Sequence, residues 1–476
     1  MFLAFAPQIA CVIGAAGAVA FDAFERRGLA VFSALGGVSV AAALAYVAAM
    51  RPPELTGGVV LSGAGFSGAV AVIFLVAAVV LLGSWKSLAG REFGGGVAAL
   101  LAVVTVAATM AATAADLLVL LIALEAMALC AYALVWSART SASVEASVKY
   151  FVQGAVATGL FVMGLAILFG LYGGSTSYVA IRGVMGSQSG PPVTTAFVLI
   201  AVALAYKLGA FPFHSWALDA FETAPPYASA ILAGIPKLAA AIAAVILFAR
   251  SVFAGISTEY QLWVFGVLAV GSMVFGATGG LRQRSYTRML AYSGVAQIGY
   301  ALVGVALGAV AMTAVAVLVG AYAVAAAGAF LAAGAFRAVQ PDWDGSIAGL
   351  AGLGRDRPLL GAAVVVAMFS LVGMPLTAGF WGKFLVFGVA VSTGYWWLAL
   401  VGVVASVVSF GYYGAVLRTL YFETPQVGSE SAPDGGVTPD RPAEIAVIVS
   451  ALIVLGVGTV PLVTGLQWLL RLLTFA

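Results

Sequence analysis

Long apolar stretches, each closed off by a charged or Pro/Gly-rich connection, recur along the whole chain. A helix needs roughly 20 residues to cross a hydrocarbon layer of about 30 Å. Marked on that scale, the pattern predicts fourteen helices, at 2–20, 29–50, 67–88, 95–112, 116–138, 146–172, 193–216, 225–250, 260–280, 289–308, 310–336, 358–391, 394–420 and 444–470. The expected fold class is an all-α polytopic membrane protein. Polar connections are expected at 339–357 and, rich in Pro, Gly, Ser and acidic residues, from Glu423 to Glu444.

Composition strengthens this picture and removes several alternatives. Apolar residues make up 63% of the chain and charged residues 8%, against a charged fraction of about a quarter in soluble proteins. A water-soluble fold is excluded, the lipid bilayer is the expected surrounding, and nucleic acid is not an expected partner. Two cysteines, Cys11 and Cys130, cannot supply the four thiolates of a usual iron–sulfur cluster. His214 is the single histidine, so paired-histidine haem ligation and multi-histidine metal sites are also out. No cofactor is expected on this chain, and any redox chemistry must lie elsewhere. Residues 1–20 contain no Lys or Arg, so the first apolar stretch is expected to remain as a helix instead of leaving as a signal peptide.

Charge then orients the helices. Connections after odd-numbered helices hold fourteen basic residues: Arg26, Arg27, Lys86, Arg91, Arg139, Lys149, Arg282, Arg284, Arg288, Arg337, Arg355, Arg357, Arg418 and Arg441. Those after even-numbered helices hold three, Arg51, Arg182 and Arg250. Short loops rich in Lys and Arg stay cytoplasmic. The odd connections are therefore expected in the cytoplasm and both termini on the opposite side. Arg471 lies near the C-terminus, and the last three basic residues, Lys207, Lys237 and Lys383, fall inside apolar runs.

An ionisable side chain near the middle of a membrane helix costs about 2.5–3.5 kcal/mol on insertion scales and usually faces a bundle interior or a water-filled path. Glu125 shares this setting, within Leu120-Leu121-Ile122-Ala123-Leu124-Glu125-Ala126-Met127. A lone carboxylate there calls for a nearby cation, and a lysine on a neighbouring helix is the natural one. Lys207 precedes Pro212, which removes a backbone donor and is expected to break its helix about one turn later. Lys383 follows a second interruption, Gly373-Met374-Pro375. Interrupted membrane helices mark ion pathways, and two of them, five apart in order, suggest an internal repeat. One such lysine could be a snorkelling side chain or half of a static pair; three with a glutamate favour transport, and a chain of such groups can relay protons.

Glu145-Ala146-Ser147-Val148-Lys149-Tyr150-Phe151 with Gly154, then Phe211-Pro212-Phe213-His214-Ser215-Trp216 with Asp219, Glu222, Ala224 and Pro225, resemble the antiporter-like membrane subunits of respiratory complex I. Arg288-Met289-Leu290-Ala291-Tyr292-Ser293, Gly379-Phe380-Trp381-Gly382-Lys383-Phe384 and Ser406-Val407-Val408-Ser409 with Tyr412 and Tyr413 carry the resemblance through the second half, so that it spans roughly 95–425. Lysine at 383, where the M-type usually has glutamate, and the lack of the long lateral helix of the L-type point to the N-type. Leu218, Phe221 and Thr287 depart from the family's usual proline, tyrosine and basic residue.

The resemblance implies three N-terminal helices in 1–94 and two inverted five-helix repeats, at 95–250 and 260–420. Helices 7 and 12 would be discontinuous. A cytoplasmic loop at 421–443 and a C-terminal helix in 444–476 would complete the chain. It also implies roles: Glu125 as switching carboxylate, Lys207 as its partner, Lys237 as central relay and Lys383 as terminal carrier. Lys149, His214, Asp219 and Glu222 are secondary candidates. His214 either passes protons or caps carbonyls freed beside Pro212. Asp219 and Glu222 either guide protons or contact a neighbouring subunit, or are solvated loop charges. NADH, flavin, iron–sulfur clusters and quinone are expected on partner subunits, with M-type and small K- and J-type subunits as neighbours in a bacterial plasma membrane. Two rival readings share the fold, a subunit of a multi-subunit sodium/proton antiporter and one of an energy-converting hydrogenase.

Overall fold

The computed structural model describes residues 5–49, 61, 64–185, 190–424 and 439–464. Arg51, Arg471, most of the connection after Glu423 and residues 465–470 of the last expected helix lie outside the described residues. In hydrocarbon no water can satisfy a free peptide group, so apolar runs close their hydrogen bonds within themselves as helices. The main helices are α1 (Ala6–Ala23), α2 (Arg27–Ala49), α3 (Ala64–Gly83), α4 (Gly94–Thr113), α5 (Leu117–Trp136), α6 (Ser141–Leu171), α7 (Pro191–Leu208), α8 (Ser215–Thr223), α9 (Pro226–Val245), α10 (Thr258–Gly280), α11 (Tyr286–Leu307), α12 (Met312–Val339), α13 (Pro358–Val372), α14 (Ala378–Ser392), α15 (Trp396–Phe422) and α16 (Arg441–Thr464). Twelve stretches among the described residues are long and apolar enough to cross a membrane, and one of them, Tyr286–Val339, is α11 and α12 joined through a short 3-10 turn. α13 and α14 are shorter apolar helices.

Side chains at the helix starts explain where several begin. Asp116 accepts hydrogen bonds from the Leu118 and Val119 amides ahead of α5, Ser285 from the Arg288 amide ahead of α11, and Thr140 forms a capping box with Ser143 ahead of α6. Isolated antiparallel bridges join Asp116 to Ser177 and Ser285 to Ser346, the second pair lying 169 residues after the first at both positions.

α9, α11 and α12 form the centre. In α9 every residue except Pro226 and Pro236 is buried, and the helix packs along α12. The facing surfaces are largely Ala, Val and Gly, whose small side chains let backbones approach without a polar attraction between them. Helices α2, α6 and α15 lie outside, with exposed Phe32, Phe151, Val156, Val407 and Phe410 facing outward.

Three expectations need correction. The seventh apolar run does not continue to residue 216 and break after Pro212: it stops at Leu208, because Gly209 takes a left-handed φ of 73°. The amides of Gly209 and Ala210 then close onto the Tyr206 and Ala205 carbonyls. Asp219 and Glu222 consequently sit on a helix, α8, instead of in a loop. The capping box also starts α6 at Ser141, earlier than expected, and Lys149, counted above with the connection although it falls within 146–172, lies inside that helix. The run at 358–391 is interrupted where Gly373-Met374-Pro375 stands, α13 closing at Gly373 with φ 92° and α14 starting at Ala378.

Candidate functional site

The paired ends of α5 to α8 assemble the first group. Lys207 is the penultimate residue of α7, where carbonyls left without helical partners favour a cation. Its Nζ donates to Glu125 Oε1 on α5 at 2.8 Å. Thr158 on α6 places its hydroxyl 2.5 Å from the same oxygen. The pair faces a small crevice lined by Leu121, Leu124, Ala157, Phe161 and Ala203. Tyr150 and Trp216 stack beside it at 4.0 Å, and Trp216 Nε1 donates to the Tyr206 carbonyl, which pins α8 against the end of α7.

Lys237 stands alone on α9. It is fully buried, one residue after Pro236, with its ammonium 5.2 Å from the Phe221 ring centre and 5.6 Å from that of Tyr322. Its Nζ has no hydrogen-bond partner among the described residues. Aromatic faces supply part of the stabilisation that a buried cation otherwise lacks.

Lys383, on α14, is held differently. Its Nζ donates to the Leu371 and Val372 carbonyls at 3.1 and 2.7 Å and to Ser406 Oγ at 3.0 Å, with the Tyr300 ring centre 4.4 Å away. The two carbonyls are those freed where α13 ends at Gly373, so the interruption itself makes the cation's seat.

A second cluster of charges lies near the start of α11. Lys149 pairs with Glu145 at 2.7 Å and with Asp219 at 3.6 Å. Arg288 reaches Asp219 at 3.6 Å and Glu222 at 2.5 Å. All five side chains are partly exposed. His214 sits between α7 and α8, buried, its ring 4.6 Å from that of Phe275.

Glu125 thus meets Lys207, and Lys149 meets Asp219, while Glu222 joins them through Arg288. Lys237, Lys383 and His214 are each separate from these groups in direct contact. Reading for charge alone missed Thr158, Ser406 and Tyr300 as site residues, and did not pair Asp219 and Glu222 with Arg288. The spacing of Ser293, Gln297 and Tyr300 on one face of α11 was a usable signal.

Residues 114–409 match the family model described as NADH:quinone oxidoreductase/Mrp antiporter, transmembrane. NADH-quinone oxidoreductase subunit N of Rhizorhabdus wittichii is 33% identical, over 90% of this chain and 89% of the relative. Among solved structures, a chain of respiratory complex I from Thermus thermophilus with bound aureothin superposes with a TM-score of 0.78, at 27% identity and covering 98% of both chains. A chain of the Mrp complex from a Dietzia species gives a TM-score of 0.85 at 22% identity, covering 99% of this chain and 96% of its own, a likeness of fold alone.

Proposed function

Because this chain belongs to the family of NADH-quinone oxidoreductase subunit N, the antiporter-like membrane subunits of respiratory complex I, we propose that it moves protons through its buried ionisable side chains, driven by quinone reduction in partner subunits. NADH, flavin, iron–sulfur clusters and quinone belong to those partners, and the membrane neighbours are M-type and small K- and J-type subunits. The basic odd-numbered connections face the cytoplasm of a bacterium, with both termini across the membrane.

The ion pair of Lys207 and Glu125 at the end of α7 is the observation that carries this reading. In a low-dielectric interior an ammonium is held largely by its counter-charge. Moving Glu125 away leaves Lys207 to hand its proton on, and restoring the pair recharges it. Lys237 is the central station and Lys383 the terminal one. Passing one charge against roughly 150 mV takes about 3.5 kcal/mol, which partner subunits must deliver by shifting the Glu125 pair.

The matching bridges at Asp116–Ser177 and Ser285–Ser346 support two repeats, at about 95–250 and 260–420. By the topology above they fall on opposite membrane faces, as an inverted arrangement requires. The interruptions after Leu208 and Val372 are then the equivalent breaks of helices 7 and 12.

The test is proton uptake by vesicles containing the assembled complex with Lys207→Ala or Glu125→Ala. Loss of pumping with assembly intact supports the proposal, and full pumping by either variant contradicts it. The fold likeness to the Mrp chain keeps one alternative, a sodium/proton antiporter subunit. Sodium transport by the purified assembly without quinone reductase activity would select it.

A further inference from the structure

Hydroxyl side chains stand near both Lys237 and Lys383, at Tyr322 beside the first and at Tyr300 and Ser406 beside the second. Ser293, Gln297 and Tyr300 occupy one buried face of α11, and each has a polar partner. Ser293 Oγ lies 2.5 Å from Tyr413 OH, and Tyr413 packs against Tyr412 with ring centres 4.5 Å apart. Gln297 Nε2 donates to the Leu371 carbonyl at 2.6 Å, the carbonyl that also accepts from Lys383. Ser406 Oγ stands between Tyr300 OH, 3.1 Å away, and Lys383 Nζ, 3.0 Å away.

At the other end, Gly294 adjoins Ser293. A Cβ at 294 would lie 2.9 Å from Lys237 Nζ and 2.7 Å from Tyr322 OH. Both atoms are buried without hydrogen-bond partners among the described residues. They therefore crowd one point on α11, within reach of a single bridging water, which needs two or more polar partners to be held. Gly294 is also the ninth residue of α11, as Glu125 is of α5, each counted from a capping residue that makes the matching bridge. Where the first repeat carries a carboxylate, the second carries no side chain.

We propose that Tyr322, Ser293 and Tyr413 relay the proton between Lys237 and the Tyr300–Ser406–Lys383 group, with Gly294 as the positioning residue that seats both the ammonium and the Tyr322 hydroxyl against α11. The inference rests on the proton-path reading above. In each step an N–H or O–H bond breaks as the neighbouring oxygen gains that proton and releases its own, until a neutral lysine amine takes up the last. The hydroxyls end unchanged in charge, and water completes the intervals between them. A glycine at 294 suits this, since a carboxylate there would pin the proton on Lys237.

The experiment compares Tyr322→Phe, Ser293→Ala, Gly294→Ala and Lys237→Ala in the assembled complex in vesicles, reading protons taken up per NADH oxidised. Each of the first three variants is expected to lower that ratio at least twofold. The double variant Tyr322→Phe/Ser293→Ala should be no worse than the poorer single one, because links in series fail together, whereas structural damage would accumulate. Wild-type ratios for Tyr322→Phe and Ser293→Ala beside a lowered ratio for Lys237→Ala would overturn the relay and leave the lysine path standing. A loss confined to Gly294→Ala would likewise overturn it as a steric effect. A wild-type ratio for Lys237→Ala would remove the underlying reading itself. Should Tyr322→Phe fail to assemble, Ser293→Ala decides by the same criterion.

Discussion

Lys207 and Glu125 stand 82 residues apart in the chain and 2.8 Å apart in space. The contact depends on the end of α7 at Gly209, which stops the helix one turn short of the turn containing Pro212 and leaves Lys207 level with the ninth residue of α5.

Removing one member of that pair is expected to cost more than removing both. A buried charge deprived of its partner is destabilising by about 3–5 kcal/mol, and because the Glu125 side chain keeps 30% of its exposure, roughly 1–3 kcal/mol is expected here. Thermal unfolding of the assembled complex should show Lys207→Ala less stable than Lys207→Ala/Glu125→Ala. Equal stability of the two would mean that the pair is not electrostatically coupled.

Thr158→Val keeps the shape of the side chain and removes a hydroxyl that lies against Glu125. A hydrogen bond to a charged group contributes about 1.5–3 kcal/mol, so the pair should open more readily and proton uptake per turnover should change. A variant indistinguishable from wild type in both pumping and stability would assign the hydroxyl to its helix carbonyl at Gly154 instead.

Gly373→Ala places a Cβ on a residue with φ 92°, at a cost of about 1–2 kcal/mol for a left-handed conformation. Since the Leu371 and Val372 carbonyls hold Lys383, pumping should fall along with stability. Ser406→Ala removes only one of the three ligands and should have the smaller effect on stability. The reverse order would show that the helix end does not build the lysine's seat.

The apolar periods made the membrane helices legible, and so did the out-of-place charges, because both are compositional contrasts visible in one dimension. The place where α7 stops was not legible. Proline is the stronger breaker by propensity, but the φ adopted by Gly209 and the closure of its amides depend on packing against Trp216 and α10. The seat of Lys383 was equally hidden, since two of its ligands are backbone carbonyls that every residue possesses. Arg288 looked like one basic residue among many in a connection, and only the placement of α8 brings Asp219 and Glu222 to it.

The most direct test of the lysine path is NADH-driven proton uptake by vesicles containing the assembled complex, compared between wild type and Lys237→Ala with equal assembly verified. The path predicts that the variant loses proton uptake per electron transferred, because the central station is gone. Wild-type uptake by the assembled variant would contradict it.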